Sequence, residues 1–362
     1  MTNQVQIKKP MRFLHMDILR VLAIFLVVFN HTAERGYTLF ANSTDSILYF
    51  PYMMFSVFCK IAVPIFFMIS GALLLPKDES LKQLFTKRIL RMAVVLLLIS
   101  VPFYFWLHRA EGIGITNFFT YIYSNCASTS LWYLYSYIGF LLLLPFLRSM
   151  VRNMKSNDFI YLIAGHIILT GIIPCAEYCI WKGNVTLNES FSSVIFVTQN
   201  IFFALVGYYI EHVLDKKYYS RKNVILSVIL SFISILVTCL MTHYQMISEN
   251  IDSVEQLEGF FNSFICIPAV TVYFLIKHLT ANKNISKSQK IITVLGASVF
   301  GVYLIEKFCR SLTKSAYLLT SPLIGSFLAS LVWCFATCFV AFVIIITIKH
   351  IPILKKLVNK FI

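Results

Sequence analysis

The chain has 362 residues, of which 58% are apolar and only 13% charged, with 33 Phe and 19 Tyr. A water-soluble domain of this size needs far more polar surface, so the composition excludes one and puts the chain in a membrane. The net charge of +15 does not mark a nucleic-acid partner, because the 31 Lys and Arg are spread over short separate segments and form no single patch.

Runs of about 18 or more apolar residues read as spanning helices. Ten are predicted, over 14–34, 50–75, 88–108, 130–148, 158–176, 193–211, 223–244, 259–279, 291–309 and 324–348. With the N-terminus inside, the inner segments hold 23 of the 31 Lys and Arg and the outer ones six. That alternation obeys the positive-inside rule. The expected fold is therefore all-α: a polytopic membrane protein of about ten transmembrane helices with both termini cytoplasmic. Residues 1–362 are expected to form one transmembrane domain with no separate soluble domain. The first run is too long for a cleavable signal and lacks a small-residue cleavage site.

Taken in chain order, the first span is the most informative. Arg20 and His31 are eleven residues apart in the apolar run from Leu14 to Ala33. Eleven helical steps turn through about 1,100°, so both side chains lie on one face, about 16 Å apart along the axis. Asp17 and Glu34 extend that stripe. Ionisable groups within a span are costly and mark function. Glu34, at i+3, is expected to hold one ring nitrogen of His31 and leave the other as a general base.

Lys60 lies midway down the second span, just before Pro64, and Ser70-Gly71 closes that span on the inner side. Arg88 and Arg91 open the third span at i, i+3 on one face, so Arg20, Arg88 and Arg91 are expected to converge at the cytoplasmic mouth. Three guanidiniums suit a polyphosphate, although ordinary positive-inside charge explains Arg88 and Arg91 as well. Trp132, Tyr133 and Tyr135 stand at the outer end of the fourth span and fit an interfacial aromatic belt too. For Lys60 a buried ion pair or a snorkelling side chain is an equal alternative. His166, in the fifth span, reads as a packing histidine, and Glu306 sits near the outer end of the ninth. The acidic segment from His243 to Glu258 is expected to face outward. The nine cysteines lack the companion histidines of a metal site and read as packing residues.

These residues also carry a resemblance. MDILRVLAIFLVVFNHT, with Arg20 and His31, resembles the first helix of the acyltransferase-3 family of integral membrane acyltransferases. KIAVPIFFMISGALLL, KRILR, LWYLYSYIGFLLLLPFLR and LGASVFGVYLIEK resemble further blocks of the same family. One departure is that family members commonly carry histidine where Glu306 stands. The pattern is most similar to the branch that O-acetylates bacterial surface polysaccharides.

The resemblance implies transfer of an acyl group, usually acetyl, from cytoplasmic acetyl-CoA or another acyl-CoA to a hydroxyl of an extracytoplasmic or lipid-linked glycan, in a bacterial plasma membrane. On that reading Arg20, Arg88, Arg91 and Ser70 hold the co-substrate. His31, with Glu34 and Glu306, forms the catalytic group, and Lys60, Trp132, Tyr133 and Tyr135 meet the substrate or its oxyanion. No metal is expected, because a thioester is already activated. The competing expectation is a transporter or flippase for a small molecule or glycolipid, which a polar shaft through ten helices also suits. An accessory role in polymer export is a third.

Overall fold

The computed structural model describes residues 13–32, 40, 47–107, 114–191, 196, 198–249, 260–281 and 287–351. Every regular element among them is helical: α1 (Leu14–Asn30), α2 (Tyr49–Cys59), α3 (Ala62–Leu74), α4 (Leu81–Leu107), α5 (Ile115–Ser124), α6 (Trp132–Asn153), α7 (Ser156–Trp181), α8 (Gln199–Tyr208), α9 (Arg221–Glu249), α10 (Cys266–Thr280), α11 (Lys287–Leu312) and α12 (Lys314–His350). The chain is a multi-pass all-α membrane protein.

Seven helical segments among the described residues are long and apolar enough to cross a bilayer, not the ten expected. The other three predicted spans correspond to shorter helices. α1 has 17 residues, α8 has ten plus a π-turn over Tyr209–Val213, and α10 has 15. α1 and α8 lie deepest. Leu19, Ala23, Ile24, Val28 and Phe29 on α1 are fully buried, as is the run Phe202–Val206 on α8. A helix enclosed by protein rather than lipid is not held to the thickness of the bilayer. Lipid-type surface appears instead on α4 and α9, where Leu98, Phe105, Ile229 and Phe232 are exposed.

Other expected boundaries also change. The second span is broken, because Lys60 N–H and Ile61 N–H turn back to Val57 O and Phe58 O (3.1 Å each) before α3 begins. Pro64 has no N–H for the Lys60 carbonyl, which favours a break there. The side chain of Asn30 occupies the gap, donating from Nδ2 to Cys59 O at 3.2 Å. The last helix starts at Lys314, not 324, and bends at Gly325, whose φ of 78° is open to glycine. Between the third and fourth predicted spans lies α5, and the acidic segment from His243 is helical as far as Glu249.

α1 packs against α2, α3, α10, α11 and α12, which makes it the central post of the bundle. α3 and α8 are pressed together backbone to backbone: a Cβ on Gly71 would collide with Ala204 O, and one on Gly207 with Met68 O. α11 approaches α1 through Gly296, where a Cβ would lie 2.7 Å from the Asp17 side chain.

Candidate active site

The helices enclose a cavity of about 830 Å³. α1 contributes Arg20 and His31, with Asn30 between them and the helix break at Lys60. α3 adds Ser70, α4 adds Lys87, Arg88 and Arg91, and α6 adds Trp132, Tyr133 and Tyr137. Arg20 and His31 thus face one passage, as the helical period requires.

The cationic end is closely organised. Arg20 donates from Nη1 to Asp17 Oδ1 at 2.7 Å. Asp17 is fully buried beneath Gly296, so it aims Arg20 and does not extend the polar stripe on the wall. Arg88 donates through Nε (2.8 Å) and Nη2 (2.5 Å) to the two carboxylate oxygens of Glu79. Arg148, nearly buried, adds a bond to Glu79 Oε2 at 2.9 Å and caps Leu74 O. Glu79 lies in the loop between α3 and α4, and its bonds from Arg88, with those from Arg148, hold its carboxyl down to about 2. Arg91 differs from both, since its Nε is buried without a hydrogen-bond partner. A π-turn over Phe85–Ile89 holds Arg88, Arg91 follows two residues after it, and both line the cavity wall.

At the other end His31 Nδ1 is 3.0 Å from Glu306 Oε1. Glu306 is fully buried behind the ring, and its Oε2 lies 3.4 Å from Arg310 Nε. Arg310 also donates from Nη1 to the backbone carbonyl of His31. A carboxylate at Nδ1 favours the tautomer with a proton there, leaving the Nε2 lone pair to act as a base. Glu306, from a distant helix, therefore holds one ring nitrogen of His31; Glu34, of which the same was expected, lies outside the described residues.

A family model described as an acyltransferase domain matches residues 13–348. The chain belongs to the acyltransferase-3 family. No curated protein and no solved structure matches it significantly. The protein is a membrane acyltransferase.

Of the acyltransferase residues expected from sequence, Arg20, His31, Lys60, Ser70, Arg88, Arg91, Trp132 and Tyr133 all line the cavity. Tyr135 does not. Its hydroxyl donates to Ile122 O (3.0 Å) and ties α6 to the end of α5, because its position on the helix turns it from the wall that Tyr133 and Tyr137 share. Lys60 Nζ lies 5.5 Å from the Phe261 ring centre. Sequence reasoning missed Glu79, Arg148 and Arg310. Only Arg310 had a local signal, as an i+4 partner for Glu306.

Proposed function

We propose that this acyltransferase moves an acetyl group from cytoplasmic acetyl-CoA to a hydroxyl of an extracytoplasmic or lipid-linked glycan, in a bacterial plasma membrane. The observation that carries the reading is one continuous cavity with guanidiniums at one end and a carboxylate-held imidazole at the other. Arg91, with its unpartnered Nε, and Arg20 and Arg88, each already oriented by a carboxylate, suit the CoA phosphates. The axial gap of about 16 Å between Arg20 and His31 is of the length the pantetheine arm spans.

In this mechanism His31 Nε2 takes the proton of the acceptor hydroxyl as its oxygen attacks the thioester carbonyl. The tetrahedral intermediate collapses, the C–S bond breaks, and the CoA thiolate leaves with the proton returned by His31. Glu306 and Arg310 hold the ring in place throughout, and Lys60 and Tyr133, which line the same cavity, donate to the oxyanion.

The test is purified full-length protein with radiolabelled acetyl-CoA, read together with mass spectrometry of surface glycans from cells with and without the gene. Expected are release or transfer of the label, gene-dependent O-acetyl groups, and loss of both in His31→Ala with acetyl-CoA affinity kept within about threefold. Protein that leaves acetyl-CoA intact but moves a glycolipid across liposomes would instead make it a transporter.

A further inference from the structure

Beside the main cavity lies a smaller chamber of about 280 Å³, between α3, α6 and the start of α8. Trp132, Ser136, Thr198, Gln199 and Asn200 line it, and Val63, Trp132 and Gln199 border both spaces. Among its lining residues there is no Lys, Arg, His, Asp or Glu, in contrast to the five Lys and Arg side chains on the main cavity. What it offers is one indole, two carboxamides and two hydroxyls.

The carboxamide of Asn200 is held in one orientation. Its Nδ2 donates to Ser136 O (3.2 Å) and lies 3.1 Å from Ser136 Oγ, while its Oδ1 is buried with no hydrogen-bond partner. A buried acceptor left unpaired is costly and calls for an explanation. The start of α6 and the start of α8 both fall at the outer end in the charge-derived topology, level with His31.

We infer that this chamber is the acceptor subsite and takes one neutral sugar ring. The inference rests on the glycan-transfer reading above. The volume, at the low end for ligand pockets, suits a single ring rather than an acyl-CoA. The Trp132 indole offers a flat apolar surface for the C–H face of the sugar. Asn200 Oδ1 accepts one sugar hydroxyl, and Ser136, Thr198 and Gln199 offer partners to others. The shared border at Trp132 and Gln199 lets a further hydroxyl enter the main cavity towards His31. A sugar bearing a carboxylate or phosphate finds no countercharge in the chamber and is disfavoured.

The experiment uses the full-length protein with Asn200→Ala or Gln199→Ala, reading O-acetylation of native surface glycans in cells and acetyl-CoA affinity of the purified variants. Expected is a loss of glycan acetylation of about tenfold or more, with acetyl-CoA affinity within about twofold of wild type. Retained affinity also reports a folded protein, and if Asn200→Ala does not fold, Gln199→Ala decides. Wild-type levels of acetylation in the folded variants would overturn the subsite. So would a parallel fall in acetyl-CoA affinity, which would assign the chamber to the donor. Wild-type cells without gene-dependent glycan acetylation would instead refute the glycan-transfer reading, and the subsite with it.

Discussion

His31 Nδ1 and Glu306 Oε1 lie 3.0 Å apart although 275 residues separate them in the chain. The pair exists because α11 packs closely on α1, an approach that Gly296 permits against Asp17 lower down. Arg310 closes the arrangement by touching both partners, the carboxylate at Oε2 and the backbone carbonyl of His31. The imidazole is thus held at its ring and at its backbone. A base that must stay aimed at a hydroxyl gains from both restraints.

Glu306→Gln keeps the shape of the side chain but removes its charge. The amide presents either a donor or an acceptor to Nδ1, so the tautomer is no longer enforced, and Arg310 loses its countercharge. Turnover at saturating acetyl-CoA is expected to fall about 10²-fold, while the KM for acetyl-CoA changes little. Steady-state kinetics on purified protein check this. Unaltered turnover would show that the carboxylate does not position the base.

Arg88 and Arg91 separate on mutation. Arg88 already spends its fork on Glu79, whereas Arg91 Nε is unpartnered beside the same cavity. Arg91→Ala is expected to raise the acetyl-CoA KM about tenfold or more, the scale of one lost charged hydrogen bond. Arg88→Ala is expected to combine a smaller rise in that KM with a loss of stability, because it frees Glu79. Equal KM effects without loss of stability would mean that Glu79 yields Arg88 to the phosphates.

The membrane fold and one wall of the site were legible in the sequence for a simple reason. Apolar run length reports spans, and the helical period reports which residues share a face, so Arg20 and His31 could be paired without coordinates. Neither signal reports which helix comes opposite, so the Glu306–His31 contact could not be read from spacing. The Glu79–Arg148 pair was hidden for the same reason, since Arg148 looked like any positive charge at an inner helix end. The break at Lys60 was half visible in Pro64. The bend at Gly325 had no apolar gap to reveal it.

Glu79 gives the loop between α3 and α4 a pH signature. Its carboxyl falls from an ordinary value of 4.5 to about 2 in the folded protein. A lowered folded value means the ion pairs stabilise fully above about pH 4.5 and lose that contribution as pH falls towards 2. Glu79→Gln leaves Arg148, nearly buried, with only the Leu74 carbonyl as its partner, at a cost of about 1–3 kcal/mol. Thermal unfolding in detergent should show a constant gap between wild type and variant from pH 8 down to about 5, closing below that. A gap that widens in acid would contradict the assignment.

The contact between α3 and α8 provides the sharpest test of the packing. A methyl group on Gly71 collides with Ala204 O and one on Gly207 with Met68 O, and both obstacles are backbone atoms that no rotamer change can move. Gly139, on α6, has no atom within 4 Å of an added Cβ. Gly139→Ala should therefore be neutral or stabilising by up to about 1 kcal/mol, the helix-propensity gain alone. Gly71→Ala and Gly207→Ala must push the two helices apart, and overpacking of this kind costs about 1–3 kcal/mol or more. Because α3 carries Ser70 on the cavity wall, that displacement should also lower acyl transfer, which Gly139→Ala leaves intact. Thermal unfolding and transfer assays on the three variants read both effects. Loss of stability at Gly139 together with tolerance at Gly71 and Gly207 would mean that the two helices are not in contact there.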